Sequence, residues 1–100
     1  MDEPSVREAL KSVEDPEAGM NIVDLGLVSG IGVAPGRVRV EMTMTSPACP
    51  VGAYLVDEAA AAIRAAAPEG TQVHVEMVWE PPWTPERMSP EAQRRFGWAP

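Results

Sequence analysis

Arg37-Val38-Arg39-Val40-Glu41-Met42-Thr43-Met44 decides the fold, and it runs directly into Thr45-Ser46-Pro47-Ala48-Cys49-Pro50. Val38, Val40, Met42 and Met44 alternate with Arg37, Arg39, Glu41 and Thr43, the period of two expected of a strand whose sheet is covered on one face only. Upstream, Leu27 to Ala34 favours a strand, and Pro35-Gly36 is a turn signal, so the two segments form an antiparallel hairpin. Downstream, Val51, Leu55, Ala59, Ala62, Ile63 and Ala66 make an apolar stripe at helical spacing, which predicts a helix over 50–67 ended by Pro68 and Gly70. Thr71 to Trp79 is a third strand, with Val73, Val75, Met77 and Trp79 on one face and Gln72, His74 and Glu76 on the other. A strand-helix-strand crossover is right-handed as a rule and makes its two strands parallel, so the sheet is expected to be mixed.

Before the hairpin, Val6, Leu10 and Val13 recur at i, i+4 and i+7, which predicts a short amphipathic helix from Pro4 to Glu14. Asp15-Pro16-Glu17 breaks it, and the connection from Ala18 to Leu25 carries Ile22, Val23 and Leu25, too apolar for a free loop. After the third strand, the prolines of Glu80-Pro81-Pro82-Trp83-Thr84-Pro85 remove ladder donors and predict an extended arm. Ser89-Pro90-Glu91 then caps a short helix reaching about Phe96, with Gly97 as its stop. The expected architecture is a two-layer α+β domain: a small mixed three-stranded sheet covered on one face by two helices, with a Trp/Pro-rich tail and a short C-terminal helix. Residues 1–100 are one domain, of which 80–100 form the arm.

Fifteen acidic against eight basic residues give a net charge of −7, which repels phosphate backbones and acidic membrane surfaces, so nucleic acid and membrane are not expected partners. A single cysteine forms no internal disulfide, the start Met1-Asp2-Glu3-Pro4 carries no apolar signal core, and no run approaches the ~20 apolar residues of a membrane span. The expected compartment is the cytoplasm.

Cys49 precedes a proline at the expected start of the long helix, so it reads as the helix N-cap and Pro50 as the first helical residue. There the macrodipole and unpaired backbone N–H groups stabilise a thiolate, which is both nucleophile and metal ligand. The competing reading is an inert, buried small hydrophobe. Asp15, Glu17 and Asp24 lie in one connection and are candidates to place carboxylates beside the thiol, although Asp before proline and Asp24 before Leu25-Gly26 also suit turns. His74, the only histidine, is on the polar face of the third strand. If the second and third strands run parallel, it is at the opposite end of the sheet from Cys49, which reads as a solvated surface residue rather than a catalytic base. Trp79, Trp83 and Trp98 fit either a docking arm or a seal over the sheet.

Three motifs in order, Asp15-Pro16-Glu17, Asn21-Ile22-Val23-Asp24-Leu25-Gly26-Leu27-Val28 and Met42-Thr43-Met44-Thr45-Ser46-Pro47-Ala48-Cys49-Pro50, resemble the metal-sulfur cluster biosynthesis family that includes the SufT and PaaD proteins. The resemblance runs from the first helix through Trp79-Glu80-Pro81-Pro82-Trp83. It implies a small α/β domain that matures iron-sulfur proteins, with Cys49 at the family's functional cysteine and Asp24 at an acidic position of its motif. Ser29 stands where relatives often have an aromatic residue, and Val51 where a larger aliphatic is common. The cysteine-rich C-terminal region of the phenylacetate-pathway branch is absent, which favours SufT-like assembly.

On this reading the chain is an accessory factor in cluster assembly or delivery, not an enzyme. Cys49 would be the metal ligand, and Asp24 and Glu17 would shape the cluster-binding site. Clusters take four protein ligands, mostly cysteines, so Cys49 alone retains none tightly and any cluster is transient. The other ligands would come from a second copy in a homodimer, or from the assembly machinery and client apoproteins. The alternative is a thiol-dependent enzyme or redox sensor using the same cysteine.

Overall fold

The computed structural model describes residues 1–16, 18–44, 52–80 and 82–97. Helix α1 spans Glu3–Leu10 and is capped by Asp2, whose Oδ1 accepts the Ser5 N–H at 2.9 Å. It stops at its second buried position: Val6 and Leu10 are buried on the helix, whereas Val13 is buried three residues beyond its end. The helix is thus shorter than the periodicity predicts, because Val13 leaves helical geometry and its carbonyl accepts the Ile22 N–H at 3.0 Å. That bond opens a small two-stranded ladder absent from the expectation, β1 (Glu14–Asp15) against β2 (Met20–Asn21). Gly19, at φ +67°, turns the chain between them. The apolar connection is therefore folded onto the core, with Met20, Ile22, Leu25 and Leu27 all buried.

Strand β3 (Val28–Ala34) and β4 (Arg37–Met42) form the antiparallel hairpin, and β5 (Gln72–Met77) lies parallel to β4. The sheet order is β3-β4-β5, so the strand with the clean alternation is central. Val38, Val40 and Met42 are sealed beneath α1 and the long helix α2 (Gly52–Ala66), which contributes Leu55, Ala59 and Ile63 to the core. Burying these branched and thioether side chains contributes roughly 1.5–3 kcal/mol each. The opposite face stays polar: Arg39 pairs with the Glu76 carboxylate across β4 and β5, and His74 Nε2 lies 3.6 Å from Glu76 Oε2. The sheet is thus mixed, helix-covered on one face and followed by a tail, as expected. A 3₁₀ turn (Pro85–Arg87) precedes α3 (Pro90–Arg95), capped by Ser89, whose hydroxyl accepts the Ala92 N–H at 3.1 Å.

Candidate functional site

Because β4 and β5 are parallel, their carboxyl ends fall at one edge of the molecule, the place where open α/β sheets put binding sites. The Val78 N–H donates to the Met42 carbonyl at 2.7 Å and the Thr43 N–H to the Leu27 carbonyl at 2.8 Å, so β5, β4 and the loop after β2 are tied together there. Residues 45–51, which carry Cys49, connect Met44 to the start of α2. Both ends of that connection, Met44 and Gly52, line a cleft of about 410 Å³ shared with Val56, Asp57, Met77 and Trp79. Cys49 itself, its expected role as helix cap, and Glu17 lie outside the described residues. Among the described residues no group of three or more His, Cys, Asp or Glu side chains is placed to hold a metal ion.

Asp24 belongs to a loop tied by its own hydrogen bonds. Its N–H donates to Asn21 Oδ1 at 2.9 Å, and its Oδ2 accepts from Asn21 Nδ2 at 2.6 Å, a reciprocal pair that fixes the carboxylate at partial burial. The C-terminal arm closes over this loop. Ser89 N–H donates to the Asp24 carbonyl at 2.8 Å, Trp83 Nε1–H to the Leu25 carbonyl at 2.8 Å, and Arg87 Nη2 to Ser29 Oγ at 2.9 Å. Met88 and Ala92 are buried behind these bonds. Gly26, at φ +75°, sits so close under the arm that a Cβ there would lie 2.4 Å from the Arg87 carbonyl oxygen. A left-handed backbone and a close approach both require glycine at that position.

The other candidates separate. Asp15 serves its own turn: its Oδ1 accepts the Ala18 N–H at 3.4 Å and its carbonyl the Gly19 N–H at 2.8 Å. His74 is paired in register with Arg39, on the polar face and short of the strand ends, so no described histidine reaches the end of β4. Of the tryptophans, Trp83 is a seal, packed on the core through its ring, while Trp79 is 45% exposed at the cleft. Trp98 lies outside the described residues. The alternation places Thr43 on the open face with Arg39 and Glu41, but it lies one residue past the end of β4 and is fully buried instead. Its hydroxyl has no hydrogen-bond partner among the described residues, two positions before the Cys49 segment begins.

Comparison with known proteins agrees with this arrangement. The chain is 40% identical over 94 residues to the Fe-S protein maturation auxiliary factor YitW of Bacillus subtilis, covering 93% of this chain and 91% of that one. It is 42% identical over 86 residues to the Fe-S protein maturation auxiliary factor SufT of Staphylococcus aureus, covering 85% of this chain and 97% of the relative. A solved domain of unknown function from Bacillus anthracis superposes with a TM-score of 0.89 at 36% identity, covering 95% of this chain and 91% of that one. The sequence profile described as iron-sulfur cluster assembly protein matches residues 3–77, from the first residue of α1 to the last of β5, and the chain belongs to that family.

Proposed function

We propose that this chain is a non-enzymatic auxiliary factor in iron-sulfur protein maturation that uses Cys49 as a thiolate ligand to a cluster in transit. The observation that carries the reading is topological: the 45–51 connection leaves from the carboxyl end of the central strand and enters a fifteen-residue helix. A connection between those two points runs toward a helix N-terminus, where the dipole favours an ionised sulfur. The named relatives, which this chain spans almost end to end, support the process.

One cysteine supplies one of the four ligands that a cluster usually takes. The remaining ligands come from a second copy presenting its own Cys49, or from scaffold and client proteins during handover. Incomplete ligation makes release easy, as delivery requires. Asp24, held by Asn21, and Glu17 would provide carboxylates that steer the incoming partner or orient its ligands. The partners are the iron-sulfur assembly machinery and client apoproteins, in the cytoplasm.

The test is Cys49→Ala in a strain lacking the native protein, read out by the activity of an iron-sulfur dehydratase, together with anaerobic reconstitution of the purified protein with iron and sulfide. The variant should fold and melt as the parent does, fail to restore the dehydratase, and lose the cluster absorption. Full restoration of the dehydratase by Cys49→Ala would overturn the reading.

A further inference from the structure

The two edges of the sheet are not equivalent. The outer strand β3 is irregular, with a register shift between Val28 and Gly30 and glycines at 30 and 32, features that discourage further strand pairing. The other outer strand, β5, pairs with β4 through six consecutive positions without a break, and among the described residues nothing pairs with its outer side. Its inward side chains are also incompletely covered. In register, Val38, Val40 and Met42 of the central strand are sealed, whereas their partners Val73, Val75 and Met77 remain half-buried. The cleft of about 410 Å³ lies along that margin, since Val75 and Met77 from one face of β5 and Glu76 from the other all line it.

The cleft wall is apolar and its charges have one sign. Val56, Val75, Met77 and Trp79 provide apolar surface, and among the described residues the ionisable ones that line it are Asp57 and Glu76. The Glu76 carboxylate is engaged by Arg39, while Asp57 makes no ion pair among the described residues. Among the described residues no lysine or arginine lines the cleft.

We propose that the outer margin of β5 is a docking groove for an extended segment of a client protein, which adds as a fourth strand with alternate apolar side chains in the cleft and a basic side chain against Asp57. Backbone pairing of this kind supplies affinity, and the alternate side-chain pockets supply selectivity. The proposal deepens the maturation reading and rests on it, because a strand seated on β5 would bring client residues beside Met44 and Gly52, the two ends of the Cys49 connection.

The probe is a fluorescein-labelled heptapeptide, Leu-Thr-Leu-Thr-Leu-Thr-Lys, whose leucines and terminal lysine share the strand face turned to the cleft and Asp57, followed by anisotropy against the full chain at ~0.15 M salt. Saturable binding is expected. N-methylation of every second amide, which removes the pairing donors, should weaken it at least tenfold. Asp57→Lys, on an exposed helical position, should weaken it about tenfold and favour the same peptide ending in glutamate instead. Equal binding of the methylated peptide, or indifference to Asp57→Lys, would refute the groove and leave only attraction to net negative charge. A chain found dimeric by sedimentation and split by the peptide would assign the margin to a second copy and overturn the client assignment. The measurement needs neither metal nor thiol and should be unchanged in Cys49→Ala. Loss of dehydratase support by Cys49→Ala without any peptide binding would therefore remove the groove and keep the cluster reading, and the reverse pattern would do the opposite.

Discussion

Gly26→Ala should be far more damaging than a glycine-to-alanine change at a turn, because two separate costs fall on one atom. The first is conformational: φ is +75°, and an L-residue in the left-handed region costs about 1–2 kcal/mol. The second is steric. The new Cβ would lie 2.4 Å from the Arg87 carbonyl oxygen and 2.6 Å from its carbon, rigid backbone atoms rather than a yielding side-chain tip. Reaching ordinary contact at 3.4 Å moves the arm outward by about 1 Å, enough to stretch the Trp83–Leu25 and Ser89–Asp24 bonds, both 2.8 Å, and to unseat Met88. At roughly 1 kcal/mol net per hydrogen bond, with part of the Met88 burial, the arm adds about 2–3 kcal/mol. Gly36→Ala is the matched control, since Gly36 has φ +71° with nothing within 4 Å of a Cβ and should show the conformational cost alone. Urea unfolding of both variants should therefore separate them by about 2–3 kcal/mol, or roughly 10–20 °C in Tm for a chain of this size. In a Trp83→Ala background, where the arm is already loosened, the Gly26→Ala penalty should shrink. Equal destabilisation by the two glycine substitutions, within about 0.5 kcal/mol, would show that the arm does not bear on the loop.

Asp24→Asn keeps an acceptor oxygen for Asn21 and should leave Tm within a few degrees, yet reduce dehydratase support in the complementation assay if the carboxylate charge steers partners; unchanged support would assign Asp24 to loop geometry alone. Thr43→Val replaces a buried hydroxyl that lacks a partner among the described residues, so it should stabilise the chain by about 1 kcal/mol in urea unfolding, and destabilisation would reveal a partner for that hydroxyl. The hydrogen bond from Arg39, helped by that guanidinium's charge, holds the Glu76 carboxyl below its ordinary value of 4.5. A carboxyl lowered in the folded state stabilises above its unfolded value, and the contribution disappears as pH falls through the lowered folded one. The stability gap between parent and Glu76→Gln should then be flat above pH 4.5 and close beneath it; a gap that persists into strong acid would place its cause elsewhere. Asp2, held low by its hydrogen bonds with Ser5, titrates in the same direction in both proteins and cancels from the comparison.

The parts of this fold that were legible are those where a period repeats long enough to be counted. Alternation over Arg37–Met42 marks the central strand, and the spacing of Leu55, Ala59 and Ile63 marks the long helix. Two-residue strands offer no period, so Glu14–Asp15 and Met20–Asn21 were invisible as a ladder even though the apolar content of their connection was plain. Val13 continued the helical spacing of Val6 and Leu10 by coincidence of phase, and only its carbonyl bond to Ile22 shows that it belongs to the next element. The grip of the arm on the loop depends on residues about 60 positions apart in the chain, such as Gly26 and Arg87. Locally, Gly26 looks like any turn glycine and Trp83 like any exposed aromatic.

That distant contact also makes the Asp24 loop and the arm one packed unit although the family profile stops at Met77. The Leu27 carbonyl accepts from Thr43 N–H at 2.8 Å, one residue beyond the end of β4, so whatever fixes the loop also fixes the strand end from which residues 45–51 depart. Trp83, Arg87 and Ser89 hold the loop through Leu25, Ser29 and Asp24. The arm and the strand end that precedes the Cys49 connection are therefore linked by two hydrogen-bonded steps. Loss of the arm bonds in Trp83→Ala should then raise hydrogen exchange at the Thr43 amide, and unchanged exchange there would show that the loop holds the strand end by itself.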